Sequence, residues 1–384
     1  MSFRGAAVAY PTSMPDASDH ELFAVAAPGL ERVVADELRR LRLKATEVPG
    51  GVTFRGTLED AARVNLWSRT ATRVLLRLGS FDAPGRRELA ARAARLSLSK
   101  FIPDGMPIRV QASSAKSRLY HTGLITEVLH EAFARPVADK DEGAPLLLAR
   151  FERDRCTLSL DTSGELLHRR GYREESAQAP LRETLAAALL LLCGYDGKEA
   201  LLDPMCGSGT CAIEAGLIAS GRAPGLERSF ALEAFPSFDE AVLTRLRAEA
   251  RELIHAAPAP IAASDIHAGS LAAARRNASR AHVEGIQFER VDVGERGVPA
   301  ATGLLITNPP YGRRVGERDD DRSAAKAMNG LVAALSGPFS AWRAALLLPV
   351  SARLGLSRPV KREVSLDNGG IPVRLVELRA GGAG

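Results

Sequence analysis

Four consecutive residues, Asn308-Pro309-Pro310-Tyr311, could do chemistry together. They follow Gly303-Leu-Leu-Ile-Thr307, an apolar run that predicts a buried strand. Two prolines fix the backbone and hold its carbonyls in place. Asn308 adds an amide oxygen as acceptor. Such a set can accept both hydrogens of an exocyclic amine. That frees the nitrogen lone pair from ring conjugation and aims it at an electrophile. Tyr311 offers a flat face on which an extruded base can stack. A proline turn after a strand is the plain alternative for Pro-Pro alone.

A second stretch must supply the electrophile. Leu201-Leu-Asp-Pro-Met-Cys-Gly-Ser-Gly-Thr210 reads as strand, glycine turn and helix start. The helix is expected from Thr210 to Ala219. Three ligands compete for this loop. ATP is disfavoured, because no lysine follows Gly209 to grip phosphates. A nicotinamide dinucleotide calls for an acid about 20 residues on, and Asp265 comes far later. S-adenosylmethionine fits better, being cationic and free of phosphate. Asp203 can meet its amino-acid end. Asp265, with Ile266 beside it, can take the ribose, and Asp292 with Val293 the adenine edge. The expected cofactor set is therefore Asp203, Pro204, Met205, Cys206, Gly207, Ser208, Gly209, Thr210, Asp265, Ile266, Asp292, Val293 and Asn308. Each acid alone could instead be a helix cap or a surface charge.

These pieces need a sheet to hold them. Strands are expected at 200–202, 261–265, 286–293, 303–307, 343–348 and 374–378, with a shorter one at 363–367. Helices over 180–192 and 268–281 lie between, and 221–258 reads as an insertion. Alternating strands and helices predict a doubly wound α/β sheet, with ligand at the carboxyl strand ends.

Upstream lie two small α+β modules. The first has strands at 21–26, 46–48, 52–55 and 73–78, with helices at 30–41 and 58–67. The second has helices at 87–98 and 124–133, and strands at 107–112, 145–151 and 156–160. Residues 1–19 read as a disordered leader. The net charge of +5 in 384 residues implies little by itself. Its distribution says more, because residues 63–118 hold twelve cations against three acids. A solvated helix face or a phosphate-tracking surface would both account for this. The basic loop Ser113–His121 closes the window, and 167–173 forms a basic hinge. Lys116, Arg118, Arg169, Arg170, Arg173 and Arg313 are the expected RNA contacts. The four cysteines form no CxxC pair and no metal spacing, so reduced thiols and no metal are expected. No apolar run reaches the ~20 residues of a membrane span, and no secretory signal is evident.

The motif pair Asp203-Pro-Met-Cys-Gly-Ser-Gly-Thr210 and Asn308-Pro-Pro-Tyr-Gly312 resembles that of THUMP-domain RNA guanine-N2 methyltransferases. The likeness extends to Asn65-Leu-Trp-Ser-Arg-Thr-Ala71, Leu158-Ser-Leu-Asp-Thr-Ser-Gly-Glu165, His168-Arg-Arg-Gly-Tyr-Arg173, Ala179-Pro-Leu-Arg-Glu-Thr184 and Asn368-Gly-Gly370. These resemble bacterial members acting on 23S ribosomal RNA. The resemblance implies a leader at 1–19, a ferredoxin-like domain at 20–66, a THUMP RNA-binding domain at 67–165 and a Rossmann-like class I methyltransferase domain at 166–384. It implies S-adenosylmethionine as cofactor, structured RNA as partner, no obligate protein partner, a cytoplasmic location, and catalysis by Asn308, Pro309, Pro310 and Tyr311. Some members carry a second methyltransferase domain, and a chain without it is expected here. Cys211-Ala-Ile-Glu214 stands where bulkier aliphatic residues are common. Transfer RNA guanine-N2 modification, adenine-N6 modification of DNA or RNA, and a non-catalytic RNA-binding role are the competing readings.

Overall fold

The structure, a computed structural model, describes residues 19–138, 143–173, 181–310, 318–353 and 355–381. Tyr311, Arg313, Pro180 and nearly all of the expected leader lie outside the described residues.

Two seven-stranded sheets carry the fold. The first is built from β1 (His20–Val25), β2 (Ala45–Val48), β3 (Gly51–Gly56), β4 (Arg73–Asp82), β5 (Arg109–Ala115), β6 (Leu146–Glu152) and β7 (Arg155–Asp161), in the order β2-β3-β1-β4-β7-β6-β5. The two expected small modules thus share one sheet. β4 joins them, pairing antiparallel with β1 on one side and β7 on the other. The β6–β7 hairpin turns through Arg153 and Asp154, both at positive φ (51° and 62°). A two-residue turn with this geometry matches the twist of its strands.

Helix α1 (Glu31–Arg40), α2 (Leu58–Trp67), α3 (Arg86–Ala93) and α4 (Thr122–Phe133) accompany this sheet. α2 begins where expected because Thr57 and Asp60 form a reciprocal capping box. α3 stops short of the expected Leu98.

The second sheet contains β8 (Ala200–Asp203), β9 (Ile261–Ser264), β10 (Ile286–Glu289), β11 (Gly303–Thr307), β12 (Arg343–Pro349), β13 (Val360–Asn368) and β14 (Ile371–Leu378), in the order β10-β9-β8-β11-β12-β14-β13. Strands β8 to β12 run parallel to one another. β14 runs against β12 and β13. Successive residues face opposite sides of a strand. Leu201, Leu304 and Ala345 accordingly join one core with α5 (Glu183–Leu192) and α6 (Thr210–Ala219). Leu202, Leu305 and Ala344 join the other, beneath Leu331 and Leu335 of α9 (Arg318–Ser336). α8 (Ala268–Arg280) adds Leu271 to the first of these cores. Each fully buried leucine contributes roughly 1.5–3 kcal/mol.

Two expectations are corrected and a third gains a role. Helix α5 starts at Glu183, not at Pro180, with Arg182 in extended backbone as its cap. Strand β10 ends at Glu289, so Asp292 sits in a turn beyond it. The 221–258 segment intervenes between α6 and β9 as expected, but it packs away from the sheet it interrupts. Its Phe230, Leu232 and Phe235, with Leu243, Leu246 and Ala250 of α7 (Glu240–Glu252), are buried in the core of the N-terminal sheet. In return, Leu30 and Val33 at α1 pack with Leu185 and Leu189 of α5. The two halves interlock through side chains that each sends into the other. Among the described residues, no helix is long and apolar enough to cross a membrane.

Candidate active site

The parallel register sets the site. Leu202 lies beside Leu305 and Ala262, and Asp203 beside Ala263. The chain therefore leaves β8, β9 and β11 at one edge, carrying Asp203, Asp265 and Asn308.

Asp203 is buried at the end of β8. Burial pushes its carboxyl up to about 7, and the nearby Asp265 adds to the shift. The Met205 amide opposes it, donating to Asp203 Oδ1 at 3.4 Å. An acid held this way has lost water and gained little positive charge in exchange, so a cation is its natural complement.

Asp265 orders the loop. Its Oδ2 accepts from the Gly207 amide at 2.9 Å, and its Oδ1 from the His267 amide at 2.8 Å. The Cys206 amide donates to Ser264 O at 2.9 Å, and buried Asn277 of α8 donates to Ser208 O at 3.1 Å. The loop is thus fixed to β9 and α8 before any ligand arrives. Both loop glycines have positive φ, 52° at Gly207 and 87° at Gly209. Their surroundings differ. A Cβ on Gly209 would stand 3.0 Å from Ala274 Cβ, whereas one on Gly207 would meet nothing within 4 Å. Gly209 is required for packing; Gly207 opens onto free space in which a ligand can approach the backbone.

Asp292 accepts from the Gly294 amide at 3.0 Å and pairs with Lys326 of α9 at 3.7 Å. Val293 is buried beneath it, against Gly330. Ile266 is an exposed apolar side chain next to Asp265. Asn308 is half-buried, Pro309 buried and Pro310 exposed. Pro204, Ser208 and Thr210 are buried and Met205 half-buried. The Cys206 and Cys211 thiols are pushed well up by burial, so neither supplies a thiolate nucleophile near neutrality. No group of residues that could hold a metal ion occurs among the described residues.

Sequence reasoning missed several neighbours. Thr307 is fully buried directly before Asn308. Lys326 and Gly330 approach from α9, and exposed Val350 lies just past β12 at the same edge. None sits in a motif; strand register and the packing of α9 bring them together.

The basic residues divide. Lys116 is exposed, and Arg118 is 79% exposed despite its ion pair with Asp154. Tyr120 beside them is exposed and its ring lies tilted against His121, ring centres 4.1 Å apart. Arg169 is 64% exposed. Arg170 was expected on the RNA surface, but the structure buries it against Glu214 and the carbonyls of Leu167 and Arg69. Arg173 is held by Glu183 and Leu181 O and is largely covered. Much of the charge excess at 63–118 is likewise spent inside. Arg63 pairs with Glu59 and Asp60, Arg73 with Asp161, and Arg77 packs over Phe23. The exposed remainder is Arg86, Arg87, Arg92, Arg95, Lys100, Lys116 and Arg118, of which Arg86 pairs with Glu127 and Glu131. The hinge itself is strongly positive: burial, then Arg182, Arg173, Arg169 and Arg170, pushes His168 down to about 4.

The family described as "RMKL-like, methyltransferase domain" matches residues 170–331, and a "RlmL ferredoxin-like domain" matches 21–75, running into β4. A ribosomal RNA large subunit methyltransferase K/L from Syntrophotalea carbinolica is 36% identical over 93% of this chain and 53% of its own length. The chain thus spans about half the length of the curated K/L relatives it matches. A putative RNA methyltransferase from Synechocystis is 30% identical over 95% of this chain and 98% of the relative. The solved structure of SMU.472, a putative methyltransferase complexed with SAH, superposes with a TM-score of 0.86 at 30% identity, covering 96% of this chain and all of that one. With such relatives matched along nearly their whole length, the chain belongs to the RlmKL-like methyltransferase family.

Proposed function

We propose that the protein is a cytoplasmic S-adenosylmethionine-dependent RNA methyltransferase acting on the exocyclic N2 of guanine, with large-subunit ribosomal RNA as substrate. The observation that carries this reading is the meeting of Asp203, Asp265 and Asn308 at neighbouring strand ends around the open face of Gly207. The K/L relatives named for large-subunit RNA support the choice of substrate.

The residues present fit the cofactor. Buried Asp203 suits its ammonium, Gly207 leaves room beside the backbone, and Asp265 retains lone pairs for ribose hydroxyls. Asp292, Val293 and Ile266 would hold the adenine. When bound, the group supplies a methyl on a cationic sulfur. Asn308 Oδ1 and the carbonyls of the Pro309–Pro310 segment accept the hydrogens of the guanine amine and turn its lone pair outward. Tyr311, in this reading, stacks on the flipped base. Alignment and fixed dipoles then lower the barrier without a covalent intermediate. Residues 20–66 form the ferredoxin-like domain, 67–165 the RNA-gripping domain and 166–384 the methyltransferase domain. Lys116, Arg118 and Arg169, with Arg313, meet RNA phosphates. Incubation with labelled cofactor and RNA from a strain lacking the enzyme tests the reading. Label in N2-methylguanosine supports it; label only in N6-methyladenosine, or none in RNA, refutes it.

A further inference from the structure

The hinge between the two halves is clamped rather than loose. Arg170 Nε donates to Glu214 Oε1 at 3.4 Å, and the Tyr172 hydroxyl donates to the same oxygen at 3.1 Å. Glu214 is fully inaccessible and stands on α6, just over one turn after the cofactor loop ends at Thr210. Arg170 also donates to Leu167 O at 2.6 Å and Arg69 O at 2.5 Å. Arg69 in turn donates to Leu217 O at 3.1 Å, on α6, and to Arg222 O at 2.8 Å, just past its end. The Tyr172 ring packs with Ile213 and Leu217 of α6 and with Val283. From the other side, Arg228 grips the carbonyls of Glu165, Leu166 and Arg169.

A buried carboxylate needs partners with good geometry, and removing one leaves an uncompensated polar group. Glu214 Oε1 accepts from two donors, and both come from the hinge. The contacts join the N-terminal half to the one helix whose start forms the cofactor loop. A tilt of the N-terminal half would therefore pull on α6 and on Gly209. Simple anchoring would be served by apolar packing alone, and such packing is already present around Tyr172.

We propose that Glu214 is a positioning residue: through Arg170 and Tyr172 it fixes the orientation of the RNA-gripping half relative to the methyl donor. The inference rests on the RNA methyltransferase reading above. Glu214 touches neither substrate nor cofactor in this assignment. It acts through the hinge, setting where a bound RNA presents its guanine.

The test uses the full chain. All four native cysteines are buried, so spin labels can be directed to Ala91→Cys on α3 and Ser336→Cys on α9, both exposed. Pulsed electron resonance then gives the distance distribution between the halves. The parent should give one narrow distance. Glu214→Gln and Tyr172→Phe should broaden or shift it. Turnover on structured ribosomal RNA should fall tenfold or more in both, while the dissociation constant for S-adenosylhomocysteine changes less than threefold. Tyr172→Phe decides the matter should Glu214→Gln fail to fold. An unchanged distribution in a folded variant overturns the proposal. So does a broadened one with full turnover, or loss of folding in both variants. If the parent methylates no RNA, the functional reading fails instead, and the distances alone still report whether the network fixes the hinge.

Discussion

Cofactor binding should depend on pH through Asp203. Its carboxyl is raised to about 7, first by burial and then by Asp265. A cationic ligand binds the ionised form. Below pH 7 the proton must leave before the ammonium can pair, so each unit of acidification weakens binding about tenfold. From pH 8 to pH 6 the dissociation constant should therefore rise about tenfold. Asp203→Asn should bind at least tenfold more weakly at pH 8 and lose this slope. Stability carries the opposite sign. The folded chain keeps a proton that the unfolded chain releases near 3.8. The group's contribution is therefore fully present below about pH 4 and is lost as pH rises through 7, by about 4 kcal/mol at most. Without cofactor, Asp203→Asn should melt higher than the parent at pH 8. Calorimetric titration with S-adenosylhomocysteine at pH 6, 7 and 8, with thermal melts alongside, measures both effects. Equal affinity and equal slope in parent and Asp203→Asn would refute the reasoning.

Four further outcomes are expected. Gly209→Ala should lose about 1–3 kcal/mol of stability, from its positive φ and the close Ala274, whereas Gly207→Ala should lose about 1 kcal/mol but more than tenfold in cofactor affinity; denaturant melts and calorimetry separate them. Asn308→Ala should cut kcat by roughly 10²–10³, read by single-turnover methyl transfer at saturating cofactor. Lys116→Glu and Arg118→Glu should weaken RNA binding and each lower the salt dependence by about one counterion, measured by filter binding across a salt series. Arg170→Ala should instead destabilise the fold by about 3–5 kcal/mol, visible in denaturant melts without RNA.

Local signals made the catalytic half readable. The glycine turn sets the start of α6 at Thr210, and the apolar run Gly303–Thr307 is uninterrupted, so both elements match expectation at both ends. Asp265 was identifiable as a strand-end acid, although its role in pinning the Gly207 amide was not. What stayed hidden depends on partners distant in sequence. Phe230, Leu232 and Phe235 announce only that they will be buried, and nothing local says that their core is the N-terminal sheet. Arg170 and Arg169 are adjacent and identical in type. One is buried against Glu214 and the other is in solvent, a difference made by a helix 44 residues away. The stretch at 65–71 shares the family likeness, and its residues act as bolts. Asn65 bonds Thr162 and Ser163, and Ser68 and Thr70 bond buried Glu37.

The central claim is methyl transfer to a guanine amine in RNA. Large-subunit ribosomal RNA from cells lacking the enzyme, treated with the purified protein and methyl-labelled cofactor, should yield labelled N2-methylguanosine on nucleoside mass spectrometry. The Asn308→Ala protein should yield almost none. Label confined to N6-methyladenosine, or RNA left unlabelled by a protein that binds the cofactor, would contradict the account.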